Sequence, residues 1–366
     1  MHPRASRQGH SVETADSDVA VRATNDDALE SKYCAMHAGY FEDAFLDALA
    51  SHLLRDDVAP PSRPPLINRG TAARVAFKSD LIHALLGAAW ASSETVQIVS
   101  LGAGYDSLPF SLFEMGQSMT KMSLHYVELD FAPIVQAKAA AVEAQLVLRG
   151  LFRDIMTDGE SLQGIVKGGT QSRYVLSAFD LRDTPRISDV LRATGLKCNC
   201  PTIILAEIVL VYLDPVISDA VIREIGHFFT RERAFVNIEH SHPHDSFGLQ
   251  MVKNIAARGS PLLGISKYPT LAAQKSRFVR EGWPCVEALT MLQGFQRKFS
   301  TEEALNLNRI EHLDEIEEWD MLMEHYGIVI AIRWSGEDDI TILEDVLKAS
   351  FGRAGETSST NRKAAS

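Results

Sequence analysis

Runs of strand-forming residues alternate with helix-forming segments along most of this chain, and this alternation restricts the possible folds more than any other feature. The runs are rich in Val, Ile, Leu or Phe and occupy residues 97–101, 124–130, 174–179, 202–206, 234–239 and 327–334. Phe131–Leu148 and Asp214–Phe229 predict helices between them, each with a proline close to its start. This order predicts an α/β fold with a doubly wound, mostly parallel sheet and helices on both faces.

Two internal segments and both ends of the chain fall outside this alternation. Residues 26–94 predict a helical lid or flank before the first strand, and residues 241–300 predict a mostly helical insertion on the substrate side before the last strands. Residues 1–25 and 349–366 are polar and lack a hydrophobic period, so we expect disordered tails there. Residues 26–348 then form a single domain.

Charge and composition exclude several classes of partner. A formal net charge of −12 argues against a nucleic-acid partner, because phosphate binding depends on clustered Lys and Arg. The longest apolar run, residues 202–213, is short for a membrane span and contains Glu207. Four scattered cysteines and the absence of a secretory signal favour the cytoplasm, with the nucleus left open. We expect a monomer that has no membrane partner.

A glycine turn follows the first predicted strand, where ligands bind in open α/β sheets. Gly102 and Gly104 would let the backbone approach a ligand closely, although a purely structural turn stays open. Ser107 stands where a dinucleotide fingerprint needs a third glycine or alanine. A phosphate beside Asp106 would be disfavoured by like charge, whereas the amine and sulfonium of S-adenosylmethionine would not. The turn therefore favours S-adenosylmethionine over a dinucleotide.

Acidic residues stand at the ends of the next three predicted strands. Asp130 can accept both ribose hydroxyls, although an N-cap role for it stays open, and Asp180 beside Leu181 suits an adenine. Glu207 lies in an apolar run and needs a cationic partner, either a protein arginine or the amine of the ligand. Together with the glycines, these acids form the pattern of a class I S-adenosylmethionine-dependent methyltransferase. Such proteins have a Rossmann-like, seven-stranded sheet.

The sequence resembles the leucine carboxyl methyltransferase family in motifs that run in order from about Asn25 to Trp334. The motifs are Ile67–Val75, Leu101–Gly104, Val127–Phe131, Asp180–Asp183, Ala206–Leu213 and Asp245–Gly248. The resemblance implies the following contacts with S-adenosylmethionine: Arg74 with its carboxylate, Gly102 and Gly104 with its methionyl part, Asp130 with the ribose, Asp180 and Leu181 with the adenine, and Glu207 with the amine or sulfonium. Lys32 matches a family lysine near the cofactor, and Tyr212 and Arg182 are the candidates for substrate contacts.

The resemblance also implies an activity and a partner. Short members of the family methylate the C-terminal leucine carboxylate of the type 2A protein phosphatase catalytic subunit, and the ester regulates holoenzyme assembly. An α-carboxylate is already ionised at pH 7, so the transfer needs no general base and we assign no catalytic residue. An arginine must still hold the substrate carboxylate, for which Arg74 and Arg182 are local candidates.

Other activities stay open at this stage. One is a related O-methyltransferase that acts on a small-molecule or modified-tRNA carboxyl group; the tRNA branch carries a long repeat domain that we do not see here. Another is a scaffold that binds the phosphatase without turnover. The alternating His240, His242 and His244 suggest a metal site, but Pro243 interrupts the strand, and we predict a polar loop and no metal.

Overall fold

The computed structural model describes residues 9–54, 62–116, 122–168, 171–334 and 339–352. Nine strands occur in these ranges: β1 (Thr95–Leu101), β2 (Ser123–Asp130), β3 (Phe152–Thr157), β4 (Ser161–Val166), β5 (Arg173–Ala178), β6 (Thr202–Glu207), β7 (Arg233–His240), β8 (Cys285–Thr290) and β9 (Tyr326–Arg333). They form one sheet in the order β3-β4-β5-β2-β1-β6-β7-β9-β8. The five central strands, from β5 to β7, are parallel.

Helices cover both faces of this sheet. Those in the described part of the chain are α1 (Gly9–His37), α2 (Ala44–Leu53), α3 (Pro65–Trp90), α4 (Leu108–Gly116), α5 (Ala132–Ala144), α6 (Leu146–Arg149), α7 (Ile187–Ala193), α8 (Pro215–Phe228), α9 (Ser246–Ala257), α10 (Leu271–Arg280), α11 (Met291–Lys298), α12 (Thr301–Asn306), α13 (Ile316–Glu324) and α14 (Asp339–Phe351). The α/β class and all six predicted strands are confirmed, and the sheet is the expected doubly wound one.

The side chains of successive residues in the central strands pack into two different hydrophobic cores. These strands are therefore nearly continuous apolar runs. On β1, Ile98 packs with Phe77 of α3, whereas Val99 packs in the core that contains Ile222 of α8. Asp214 caps α8 by accepting a hydrogen bond from the Val216 amide at 2.8 Å. The proline at the first position of α8 fits the predicted start of this helix.

The prediction of seven strands is wrong in number, because the described part of the chain has nine. Three of these, a hairpin and an edge strand, are absent from the six runs located in the sequence. Strands β3 and β4 form an antiparallel hairpin beside β5, and most side chains of β3 face solvent, so its apolar signal is weak. Strand β8 lies within residues 241–300, which we expected to be mostly helical, and it pairs with β9 at the other edge. Helices α9, α10 and α11 account for much of the remainder of this insertion.

The expected disordered tail at residues 1–25 is wrong from Gly9 onward, because α1 begins there. Its later part is anchored by buried Leu29 and Ala35, and it packs on α2 and α3. At the other end, α14 continues through Phe351, beyond the predicted boundary at 349. Residues 353–366, which make up most of the second predicted tail, lie outside the described residues. No helix in the described part is long and apolar enough to cross a membrane.

Candidate active site

The carboxyl ends of the parallel strands meet at one edge of the sheet, and the predicted site residues gather there. Two cavities open along this edge. The Asp130 cavity, of about 390 Å³, is lined by Asp130, Asp180, Leu181 and Arg182 among others. The Glu207 cavity, of about 320 Å³, is lined by Lys32, Arg74, Gly104 and Glu207 among others. Gly102 and Tyr212 line both cavities, so the two form one continuous site.

The backbone conformation and the close packing around the turn both favour glycine at positions 102 and 104. Gly102 and Gly104 have φ values of +55° and +54°, which favour glycine. A Cβ on Gly102 would lie 2.7 Å from Cγ2 of Val209, and one on Gly104 would lie 2.3 Å from Oδ1 of Asn25. Asn25 belongs to α1, so this helix packs directly on the turn. The turn is therefore a narrow cradle closed from above by α1.

Asp130 is tied to this turn. Its Oδ2 accepts a hydrogen bond from the Gly104 amide and its Oδ1 accepts one from the Phe131 amide, each at 2.7 Å. Phe131 is the N-cap residue of α5, and no side chain caps this helix. The alternative role of Asp130 as the N-cap is therefore wrong. Each carboxylate oxygen keeps a further lone pair for a ligand hydroxyl. Asp130 therefore both fixes the turn and remains able to accept from a ligand.

A buried charge cluster forms the floor of the Glu207 cavity. Glu207 accepts from Arg74 Nε through Oε1 and from Lys78 Nζ through Oε2, both at 2.8 Å. Asp106 accepts from Lys78 Nζ at 2.6 Å and from Lys32 Nζ at 3.0 Å. The expectation of a cationic partner for Glu207 is confirmed, and the partner is Arg74 together with Lys78. The cluster has three cations and two anions, and so it carries one positive charge in excess.

The pKa values of the cluster follow from this arrangement. Burial would raise the pKa of Glu207, but Lys32, Lys78 and Arg74 lower it to about 2. Burial, with repulsion from Lys78 and Arg74, lowers the pKa of Lys32. Burial is the largest of these causes, and the attraction of Asp106 and Glu207 opposes it. The cluster is therefore suited to receive one anionic ligand group, such as a carboxylate.

The pairing of Asp106 corrects one premise of the sequence analysis. Lys32 and Lys78 neutralise this carboxylate and hold its pKa well below its usual range, against the effect of burial. The like-charge argument against a phosphate at the turn therefore does not hold for the folded chain. Lys78 was missed altogether, although a residue four positions after Arg74 on a helix shares its face.

Glu128 lies in the protein core and is not among the residues that line the Asp130 and Glu207 cavities. It is fully buried and accepts from Lys138 Nζ at 2.7 Å and from Tyr174 Oη at 2.6 Å. Lys138 also donates to the backbone oxygen of Asp106 at 2.7 Å. This ion pair supports the glycine turn from below.

Arg182 lies at the Asp130 cavity, where two carboxylates engage it. Its Nη1 donates to Asp18 of α1 at 2.7 Å, and its Nε donates to Asp180 at 3.0 Å. Asp180 also accepts from the Arg182 amide at 2.9 Å. In this structure the Arg182 guanidinium links the strand end to α1, and its contact with a substrate carboxylate stays a prediction. Buried Leu181 provides the apolar wall beside Asp180.

Tyr212 stands at the junction of the two cavities, in a short 3-10 helix, Leu210–Tyr212. Burial raises its pKa, so the phenol stays protonated at neutral pH. The loop before it is strained, since Ile208 has a φ of +55°. Buried Glu239 supports the loop by accepting a hydrogen bond from the Val211 amide at 3.2 Å. Glu239 thereby helps to hold Tyr212 in the site.

Replacing Glu239 with Gln should remove part of the pH dependence of stability. Burial raises the pKa of Glu239 to about 8 from 4.5, so between these pH values the folded chain holds a proton that the unfolded chain has released. Its contribution to stability therefore falls as the pH rises, by at most about 1.4 kcal/mol per pH unit. Gln cannot ionise and can still accept from Val211.

This prediction is measured by denaturant unfolding of both proteins between pH 5 and pH 8. The stability of Glu239→Gln relative to the wild type should increase across this interval. Exposed Glu94→Gln is the matched control and should follow the wild type. Parallel pH profiles for Glu239→Gln and the wild type would show that this carboxyl group keeps an ordinary pKa.

The three histidines considered for a metal do not form a cluster. His242 Nδ1 lies 3.1 Å from Ser241 Oγ and 3.2 Å from the Glu324 carbonyl oxygen, whereas His240 lines the Glu207 cavity and His244 is exposed. Within the described ranges no group of three His, Cys, Asp or Glu residues could hold a metal ion.

Comparisons with known proteins agree with this geometry. A family model described as leucine carboxyl methyltransferase matches residues 20–226. The Arabidopsis thaliana leucine carboxyl methyltransferase 1 homolog is 36% identical, over 88% of this chain and 91% of its own length. The Bos taurus leucine carboxyl methyltransferase 1 is 30% identical, over 88% and 93%. The Rattus norvegicus tRNA wybutosine-synthesizing protein 4 is 33% identical over 86% of this chain, which spans only 44% of that protein.

Proposed function

Because the chain belongs to the leucine carboxyl methyltransferase family, and is thus a methyltransferase, we propose that it methylates the C-terminal leucine α-carboxylate of the type 2A protein phosphatase catalytic subunit. The methyl donor is S-adenosylmethionine. The observation that carries the proposal is the buried cluster of Arg74, Lys78, Lys32, Glu207 and Asp106, with its one excess cation. The carboxylate of an amino-acid group can pair with the excess cation, and its amine can donate to Glu207, so the two charges of the group meet opposite charges of the cluster.

The remaining site residues fit the other parts of the cofactor. Asp130 has lone pairs for the ribose hydroxyls, and Asp180 with Leu181 offers an acceptor beside an apolar surface for the adenine. Gly102 and Gly104 line the Glu207 cavity, which offers space for the methionyl chain beside the turn. When bound, S-adenosylmethionine supplies a methyl group on a cationic sulfur that an anionic oxygen can displace. Helix α1 covers both cavities and limits the access of water to them.

The acceptor side supports a C-terminal tail with an apolar last residue. A third cavity, of about 300 Å³, adjoins the Glu207 cavity and shares Arg74 and Tyr326 with it. We call it the Met291 cavity; its apolar lining residues are Ile67, Met291, Leu322 and Met323. Arg63 and Arg258 also line it, together with Asp27, which pairs with both of them. This combination suits an apolar side chain attached to a carboxylate.

No general base is needed for the proposed reaction. The acceptor carboxylate, with a pKa of about 3.5, is ionised at neutral pH. The protein has to align the acceptor oxygen with the methyl group and keep the charges balanced. Arg74 is placed for this purpose, because it lines both the Glu207 cavity and the Met291 cavity. The chemistry therefore relies on positioning and electrostatics.

The substrate is tested by transfer of a labelled methyl group from S-adenosylmethionine. The acceptors are the intact phosphatase catalytic subunit, the same subunit without its last leucine, and tRNA. We expect label on the intact subunit alone. Equal label on the shortened subunit would contradict methylation of the C-terminal leucine. Label on tRNA alone would indicate an activity like that of the tRNA wybutosine-synthesizing relative. Tight binding of the subunit without transfer would indicate a scaffold.

A further inference from the structure

His240 lies at the end of β7, one strand beyond Glu207 along the edge of the site. The residues assigned to the cofactor follow β5, β2, β1 and β6 in spatial order. His240 and Tyr326 lie past them, on the side where the Met291 cavity opens. Both line the Glu207 cavity, and His240 is 5% exposed. Their position is therefore on the acceptor side of the site.

The imidazole is held rigidly in this position. His240 stands directly opposite Tyr326 in the antiparallel pairing of β7 and β9, and the two ring centroids are 4.8 Å apart. The guanidinium carbon of Arg74 lies 5.9 Å from the centre of the Tyr326 ring. His240 and Arg74 thus both contact Tyr326 at the wall of one cavity.

One ring nitrogen of His240 lacks a hydrogen-bond partner within the described ranges. Nδ1 is buried and has no hydrogen-bond partner among the described residues. An unfilled buried acceptor is less unfavourable than an unfilled buried N–H, which favours the tautomer with its proton on Nε2. Burial and the neighbouring charges of Arg74 and His325 lower the pKa of His240 to about 3, so the ring is neutral at physiological pH. It can therefore donate one hydrogen bond without adding charge.

We propose that the Nε2–H of His240 donates a hydrogen bond to one oxygen of the acceptor carboxylate and so positions it, an inference that rests on the proposed function. The other oxygen then faces the methyl group. In the transfer, this oxygen forms the bond to the methyl carbon, the carbon–sulfur bond breaks with its electron pair going to sulfur, and no proton moves. A neutral donor suits this role, because the site already contains an excess cation and the carboxylate must stay ionised.

The test compares steady-state kinetics of the wild type with His240→Phe, using the intact phosphatase subunit as acceptor. Phe keeps a ring against Tyr326 and removes the donor. We expect kcat/KM for the acceptor to fall by about 10- to 100-fold, the range for one hydrogen bond to a charged group. Affinity for S-adenosylmethionine, measured by calorimetry, should stay within about twofold of the wild type, since a twofold change is a small fraction of one such bond.

A second variant keeps the test valid if the Phe variant is poorly folded. His240→Gln retains an N–H donor and should recover most of the acceptor kcat/KM. Exposed His244→Gln is the control and should match the wild type. If His240→Phe has wild-type acceptor kinetics, or if it weakens cofactor and acceptor equally, the inference is overturned. If the wild type itself transfers no methyl group to the subunit, the proposed function fails and the inference fails with it.

Discussion

Replacing Lys78 with Met is expected to destabilise the protein by about 3–5 kcal/mol, the cost of breaking a buried ion pair by removing one partner. Lys78 is 3% exposed at its side chain and donates to both Glu207 and Asp106. Without it, two buried carboxylates share Arg74 and Lys32, and neither keeps its full set of donors. Lys32 also pairs with both anions, but it hydrogen-bonds only Asp106 and lies 3.9 Å from Glu207.

The same substitution should weaken S-adenosylmethionine binding by about 10- to 100-fold. Loss of Lys78 balances the remaining charges and removes the excess cation to which the cofactor carboxylate is attracted. Stability is measured by denaturant unfolding, and affinity by calorimetry at a temperature at which the variant is folded. Exposed Lys348→Met, on α14, is the matched control and should change neither quantity. Wild-type stability and affinity in Lys78→Met would contradict the role given to the cluster.

Asp130→Ala is the second change with a large expected effect. It removes the acceptor assigned to the ribose and also the acceptor of the Gly104 and Phe131 amides. We expect the affinity for S-adenosylmethionine to fall by about 100-fold, the upper part of the range for a charge-assisted hydrogen bond. The glycine turn should also loosen, because Asp130 connects β2 to it.

The readouts separate these two contributions. Calorimetry gives the loss of affinity for S-adenosylmethionine and for adenosine, which shares the ribose but lacks the methionyl part. A ribose contact predicts weakening for both ligands, whereas loss of the turn alone predicts weakening mainly for the complete cofactor. Asp189→Ala, at an exposed position on α7, is the control. Unchanged affinity for both ligands would remove Asp130 from the site.

The central sheet and the strand-end acids could be predicted from the sequence because their signals are local. The strands are buried on both faces and read as continuous apolar runs, and Asp130, Asp180 and Glu207 stand at their ends. The edge hairpin β3–β4 was missed because β3 is mostly exposed. The part of α1 that precedes residue 26 was missed because the chain is polar there. Some residues of this part line the two cavities.

The charge balance of the site could not be predicted, because it depends on contacts between distant residues. Lys32 and Asp106 are 74 positions apart, and Asp18 and Arg182 are 164 apart. Arg182 looked available for a substrate, since nothing near it in sequence except Asp180 and Asp183 indicated a partner. His240 was considered for a metal because of the neighbouring histidines, whereas its position beside Tyr326 follows from the pairing of β7 with β9.

The chemical identity and position of the transferred methyl group test the proposed function most directly. The phosphatase catalytic subunit is labelled by the wild-type protein with S-adenosylmethionine, digested, and mapped by mass spectrometry, and a second portion is treated with mild base. We expect one added methyl group on the C-terminal leucine peptide and its release as methanol by base. Base-stable label, or label on any other peptide, would contradict carboxyl methylation of the C-terminal leucine.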